Sequence, residues 1–256
     1  MRLSFSSIRS GAWIVGGLLT AGVLITACNK NNNNDGDNTP ASGLMAFNLA
    51  PDVANASITL SSNLLTQTPL AYNSFTGTYL GVYSGTRPIS AINANTGAEI
   101  ASSSYDFVAD KYYSLFVLGK NGSYRTVVVN DNADSLSTSS GEAFVRYINA
   151  IPDSSHPAVT FAVNGSNVVN DNAAFASVSE FKPIASGSVI VTVNNGGTIN
   201  KSRTVTLDQR RVYTFLLTGV PGGTSADSLQ IRYIQNGTVD ETAARVSSVS
   251  AGRSVN

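Results

Sequence analysis

The chain has 256 residues, room for one or two domains. Only 12% are charged, with 16 basic and 16 acidic side chains and a net charge of zero. So neutral a chain has no long-range field to gather nucleic acid, and its one basic pair, Arg210-Arg211, reads as a solvated hairpin tip.

The first 27 residues read as a lipoprotein signal peptide. Arg2 and Arg9 form a basic start, and Gly11 to Ala27 is an uncharged, mostly apolar run. About 17 residues is short for a membrane span, and the small residues at its end fit cleavage. The run closes on Leu24-Ile25-Thr26-Ala27-Cys28, which resembles the lipobox of bacterial lipoproteins. That resemblance implies cleavage between Ala27 and Cys28 and a thioether-linked lipid on Cys28. Cys28 is the sole cysteine, so no intramolecular disulfide competes for its thiol. From Cys28 onward, 14 basic residues face 16 acidic ones, a net of −2.

Residues 28–43 read as an Asn-rich flexible tether, since Asn29 to Pro40 contains no apolar residue to pack. About 15 such residues span roughly 20 Å. Asn29 is not the aspartate that retains lipoproteins in the inner membrane, which points to the outer membrane.

Beyond the tether the chain reads as strands. Val159, Phe161 and Val163 alternate with Thr160, Ala162 and Asn164. Val189, Val191 and Val193, and then Tyr213, Phe215 and Leu217, repeat the pattern. Period-two alternation broken by Gly, Asn, Asp and Pro is the signature of half-buried strands.

The two halves match at a pitch of about 100 residues. Asn48-Leu49-Ala50-Pro51-Asp52 returns as Asn149-Ala150-Ile151-Pro152-Asp153. Ser57 to Asn63 returns ungapped as Ala158 to Asn164. Tyr79 and Gly85 become Phe181 and Gly187, and Tyr113 to Gly119 becomes Tyr213 to Gly219. The chain is therefore expected to hold two tandem all-β antiparallel sandwiches, immunoglobulin-like or transthyretin-like, at 44–134 and 143–240. A linker at 135–142 joins them and a polar tail covers 241–256, where Ala244 to Val249 offers an edge strand. Parallel pairing is not expected, because no crossover helix is present.

The repeated N-x-x-P-D element, the aromatic-x5-Gly and the Tyr-[ST]-x4-Gly strand resemble domain of unknown function 4397, over about 44–134 and 144–238. The resemblance implies tandem sandwiches in secreted or lipid-anchored bacterial proteins. It brings no activity and no catalytic residues.

The inventory of reactive groups argues against catalysis and against a cofactor. His156 is the sole histidine, in the turn Asp153-Ser154-Ser155-His156-Pro157, where neighbouring side chains cannot converge as a relay. One histidine and a lipidated cysteine suit neither zinc nor copper. Asn130-Asp131-Asn132-Ala133-Asp134 supplies oxygens for a calcium reading, but turn formation explains the run as well. Asp52 and Asp153 recur as turn residues after proline that cap backbone amides. Glu99, Glu142, Glu180, Asp110 and Asp208 show no mutual pattern.

Tyr72, Tyr79, Tyr83, Tyr105, Tyr112, Tyr113 and Tyr124 concentrate in the first half, as sugar-stacking rings or as core packing. The leading expectation is a non-enzymatic envelope module, membrane-bound through Cys28, that binds or scaffolds a glycan or another envelope protein. The alternatives are a hydrolase working with carboxylates alone and a structural subunit of a surface adhesin. Three exposed aromatics on one face favour glycan, facing carboxylates favour the hydrolase, and a free edge strand favours assembly.

Overall fold

The computed structural model describes residues 40–137, 141–224, 227–240 and 243–247. The expected signal, the cleavage site at Ala27-Cys28 and the tether up to residue 39 lie outside the described residues. The first copy runs through β1 (Ala41–Asn48), β2 (Asn55–Leu60), β3 (Asn63–Leu64), β4 (Leu70–Ala71), β5 (Ser74–Phe75) and β6 (Leu80–Tyr83). It continues with β7 (Gly85–Asn93), β8 (Glu99–Phe107), β9 (Tyr112–Lys120) and β10 (Ser123–Asn130). A 3-10 turn, Ala133–Ser135, leads to the second copy: β11 (Glu142–Asn149), β12 (Ala158–Val163), β13 (Ser166–Asn172), β14 (Lys182–Ala185) and β15 (Gly187–Asn194). It ends with β16 (Asn200–Leu207), β17 (Arg211–Thr218), β18 (Gln230–Asp240) and β19 (Ala243–Ser247). The architecture is all-β, in two sandwich-like modules.

Each copy contributes two sheets. In the first, β10-β9-β1-β5, with β6 also on β1, faces β3-β2-β7-β8. In the second, β14-β11-β17-β18-β19 faces β13-β12-β15-β16. The order β1, β2, β7, β8, β9, β10 in one copy reappears as β11, β12, β15, β16, β17, β18 in the other, which is the duplication seen in sequence.

One pairing in each copy departs from the antiparallel rule. β1 runs parallel to β9, with Gly43 opposite Tyr112 and Asn48 opposite Val117, and β11 runs parallel to β17. No crossover helix is needed, because the opposite sheet serves as the connection: the chain leaves β1, builds β2, β7 and β8, and returns as β9.

Leu44, Ala46, Ile58, Ile89, Phe107, Tyr113, Leu115 and Val117 fill the first sandwich. Val145, Val159, Phe161, Val189, Val191, Phe215 and Leu217 fill the second. A third core joins the copies. Met45 and Phe47 of β1 and Phe116 and Leu118 of β9 meet Ile148 of β11, Leu216 of β17 and Ile234 of β18. Burying each such side chain is worth about 1.5–3 kcal/mol. The copies are therefore not beads on a linker, because described strands of both build this shared core. The expected linker takes part, since Leu136 packs with Phe144, Val212 and Val239. The edge strand expected near the end of the chain is present as β19, on β18.

Candidate functional site

The two copies differ at one end of the sandwich. In the second copy β12 continues to Val163 before turning at Asn164-Gly165, whose φ angles are 49° and 81°. In the first copy β2 stops at Leu60 and turns two residues earlier, at Ser61-Ser62, with φ of 48° and 67°. The returning strand is then broken. β13 has seven residues, whereas β3 and β4 have two each. Pro69 lies in the gap, with no N–H to offer a ladder.

This shortened hairpin leaves a groove of about 760 Å³ between β3 and β6, within the size range of ligand sites. Its walls are Leu60, Leu64, Leu65, Leu80, Val82 and Tyr83, with Ala41 and Arg87 at the margin. The Arg87 guanidinium lies 5.9 Å from the Tyr83 ring centroid and donates to the carbonyls of Tyr83 and Ser84 at 3.3 and 2.8 Å. The second copy closes the same space with larger or deeper groups. Phe161 replaces Leu60 and is fully buried, and Ile184 replaces Val82 and is 2% exposed.

A second feature is a buried polar network between the copies. Arg146 Nη1 lies 2.7 Å from Asp131 Oδ1. Arg146 Nη2 donates to Ser114 Oγ at 2.8 Å, and Nε donates to Thr214 Oγ1 at 2.9 Å. Asp131 Oδ2 accepts from Ser114 Oγ at 3.0 Å and from Tyr79 OH at 2.5 Å. Thr214 Oγ1 donates to Asn236 Oδ1 at 2.6 Å, and Asn236 Nδ2 reaches Tyr79 OH at 3.2 Å. Phe181 lies 4.3 Å from the guanidinium carbon of Arg146. Burial, and then the Asp131 charge, hold the Tyr79 phenol well above its ordinary range. The charges of Arg146 and Asp131 compensate each other, and hydroxyls and an amide of both copies close the network around them, which suits a fastener between modules.

The expected reactive groups fall elsewhere. His156 is exposed on its turn at φ 50°. Asp153 caps the amide of Ser155 at 2.7 Å, as expected of a turn residue. Asp52 caps a distant amide instead, that of Asn121 at 2.7 Å, and accepts from Tyr124 OH at 2.8 Å. The oxygens of the 130–134 run do not converge on one point. Asp131 is turned into the network, Asp134 pairs with Lys111, and Asn130 Oδ1 accepts from the amide of Asn132 at 2.9 Å. Glu99, Asp110, Glu180 and Asp208 are exposed on four separate segments. Arg210 is exposed at the β16–β17 turn, but that turn is not the expected hairpin tip: β16 and β17 belong to opposite sheets, and Arg211 already opens β17.

The tyrosines point mostly inward. Tyr105, Phe107 and Tyr113 form an edge-to-face cluster with centroids 5.1–5.4 Å apart. Among the described aromatics, only Tyr83 is strongly exposed, at 63%. Sequence reasoning missed the groove and the network. The shorter hairpin and Pro69 were legible signals for the first, and Arg146 inside an apolar strand for the second.

No curated protein matches the chain. A family model described as a domain of unknown function, DUF4397, matches residues 42–156 and again 143–253. The first match covers the first sandwich and runs on through β11, the second covers the second sandwich, and the chain belongs to the DUF4397 family as a tandem pair of its domains.

Proposed function

We propose that this chain is a lipid-anchored envelope protein that works by binding or scaffolding and not by catalysis. The observation that carries the reading is how the reactive groups are used. Asp52, Asp131 and Asp153 each serve an amide, hydroxyl or guanidinium of the fold. The concave surface of the first copy is mostly apolar instead, walled by leucines, Val82 and Tyr83, with Ser61, Asn63 and Arg87 as its polar groups and no carboxylate among them. A groove of that kind recognises an apolar surface and offers neither general acid nor general base. Among the described residues Tyr83 is the one strongly exposed ring, so an apolar partner fits better than a glycan stacked on several rings. The lipobox residues up to Cys28 support the anchor, and Asn29 supports the outer membrane as its destination.

The experiment is metabolic labelling with palmitate and fractionation of the envelope. Label is expected on the native chain, and Cys28→Ser is expected to lose both label and membrane association. An unlabelled native chain, or a Cys28→Ser chain that still follows the membrane, overturns the anchor. Hydrolysis of an envelope polymer that Asp52→Asn or Asp153→Asn abolishes overturns the non-catalytic reading.

A further inference from the structure

Strand β1 begins at the margin of the groove. Pro40 is held there, its carbonyl accepting from the amide and the hydroxyl of Ser84 at 3.0 and 2.9 Å. Ala41, the next residue, lines the groove. Its carbonyl accepts from the amide of Asp110 at 2.8 Å, and Ser42 Oγ donates to the carbonyl of Val108 at 2.8 Å. The strand start is thereby fastened on both sides. The same end gathers exposed apolar side chains. Of the five large ones among the described residues, Leu64 at 57%, Tyr83 at 63% and Val108 at 55% surround this point, whereas Val168 and Ile190 belong to the second copy.

We propose that this open end of the first copy is a bilayer-contact face that seats the body on the membrane to which Cys28 is anchored. The inference rests on the lipid-anchor reading above. Twelve residues, Asn29 to Pro40, separate the lipid from Ala41. Twelve residues reach no more than about 40 Å even at full stretch. The groove end is therefore the part of the body held nearest to lipid, at a high effective concentration.

Its chemistry matches the boundary between acyl chains and headgroups. Leu64 and Val108 present aliphatic surface, Tyr83 presents a ring with a polar tip, and Arg87 brings a cation on an apolar stem. The chain beyond Cys28 carries a net of only −2, from 14 basic and 16 acidic residues, so apolar burial drives the contact. Zwitterionic lipid suffices, and added salt does not release it.

The test uses the full chain in a Trp13→Phe background, which removes its single tryptophan. Tyr83→Trp then reports at the groove, and Ile190→Trp reports on β15 of the second copy. Each protein is purified in its lipidated form and reconstituted into phosphatidylcholine vesicles with brominated acyl chains. Quenching at position 83 is expected to exceed that at position 190 several-fold and to persist in high salt. Adding Leu64→Asp is expected to lower it several-fold while leaving the urea midpoint unchanged, since Leu64 is exposed.

Equal quenching at the two positions overturns the proposal. So does an indole at position 83 that is shielded from water but unquenched, which marks a protein occupant. Intact mass reports the acyl groups on Cys28 separately. If they are absent, the anchor reading fails, and the same chains coupled through Cys28 to a maleimide lipid then test the face by the same comparison of quenching.

Discussion

The Arg146 guanidinium of the second copy and the Asp131 carboxylate of the first meet at 2.7 Å, each only 2% exposed. In the duplicated order Arg146 takes the place held by Met45, and Asp131 the place held by Asn236. Ser114 corresponds likewise to Thr214, and Tyr79 to Phe181. Equivalent strands thus face each other as in a two-fold dimer, with the matching positions filled differently on the two sides.

That correspondence gives the first prediction. Arg146→Met leaves the Asp131 carboxylate buried without its cation and is expected to cost about 3–5 kcal/mol. Arg146→Met with Asp131→Asn gives both copies the same residues, Met and Asn, and is expected to recover most of the loss. Urea unfolding of the two variants and the native chain measures both steps. A double variant as weak as the single one contradicts the assignment of the cost to an unpaired charge.

The shared core also explains what was legible in sequence. Strand identity and the duplication were readable because turn residues and alternation are local. Alternation alone, however, places Leu216 and Phe116 on outward faces, since one face of a sandwich strand is normally wet. Both are buried in the joint between the copies. The signal was present: Leu115-Phe116-Val117-Leu118 and Phe215-Leu216-Leu217 are unbroken apolar runs, the mark of strands covered on both faces. Asn48 and Asn149 look in sequence like parts of a turn motif. Both are fully buried, and each donates its amide to a backbone carbonyl more than twenty residues on, Asn48 to Leu70 at 3.0 Å and Asn149 to Ala173 at 2.9 Å. The groove was hidden because it arises from a two-residue difference in hairpin length, which acts only through packing.

The glycine that ends the Tyr-[ST]-x4-Gly strand is a physical necessity. Gly119 has φ 118°, and a Cβ there would lie 2.1 Å from the Ser123 carbonyl oxygen. Gly219 repeats this at φ 98° and 2.2 Å from the Ser228 oxygen. Gly119→Ala is expected to cost at least about 2 kcal/mol, from backbone strain and a forced shift of β10. Gly85→Ala has a positive φ of 92° but open space around its Cβ. It is expected to cost less, about 1–2 kcal/mol. Comparing the two denaturation midpoints checks the order.

Base is expected to weaken the fold through its tyrosines. Burial, and then the Asp171 charge, push the Tyr147 phenol up to about 12. Burial raises Tyr79, Tyr72 and Tyr213 as well. The folded state keeps these protons, whereas the unfolded chain releases them near pH 10. Their contribution is complete below pH 10 and is lost as pH rises above it, that of Tyr147 as pH passes through about 12. Denaturant midpoints measured from pH 8 to 12 are expected to be level up to about pH 10 and to fall above it. Tyr147→Phe removes one of the titrating groups, so its decline is expected to be shallower. An equal slope in that variant contradicts the assignment.

The groove can be closed by borrowing from the second copy. Leu60 is 8% exposed on the groove wall, and its counterpart Phe161 is fully buried with its ring 4.8 Å from that of Phe215. Leu60→Phe directs a ring into about 760 Å³ of unfilled space, so the overpacking that penalises such changes in a tight core does not arise. The added apolar area is withdrawn from water, and stability is expected to hold or to rise by up to about 1 kcal/mol. An apolar dye such as anilinonaphthalene sulfonate is expected to bind the native chain at the groove and to bind Leu60→Phe several-fold more weakly. Leu60→Ala enlarges the groove and is expected to keep the dye while lowering the unfolding midpoint. If dye binding follows stability across the two variants instead of groove volume, the dye is reporting partly unfolded chain, and the groove is not its site.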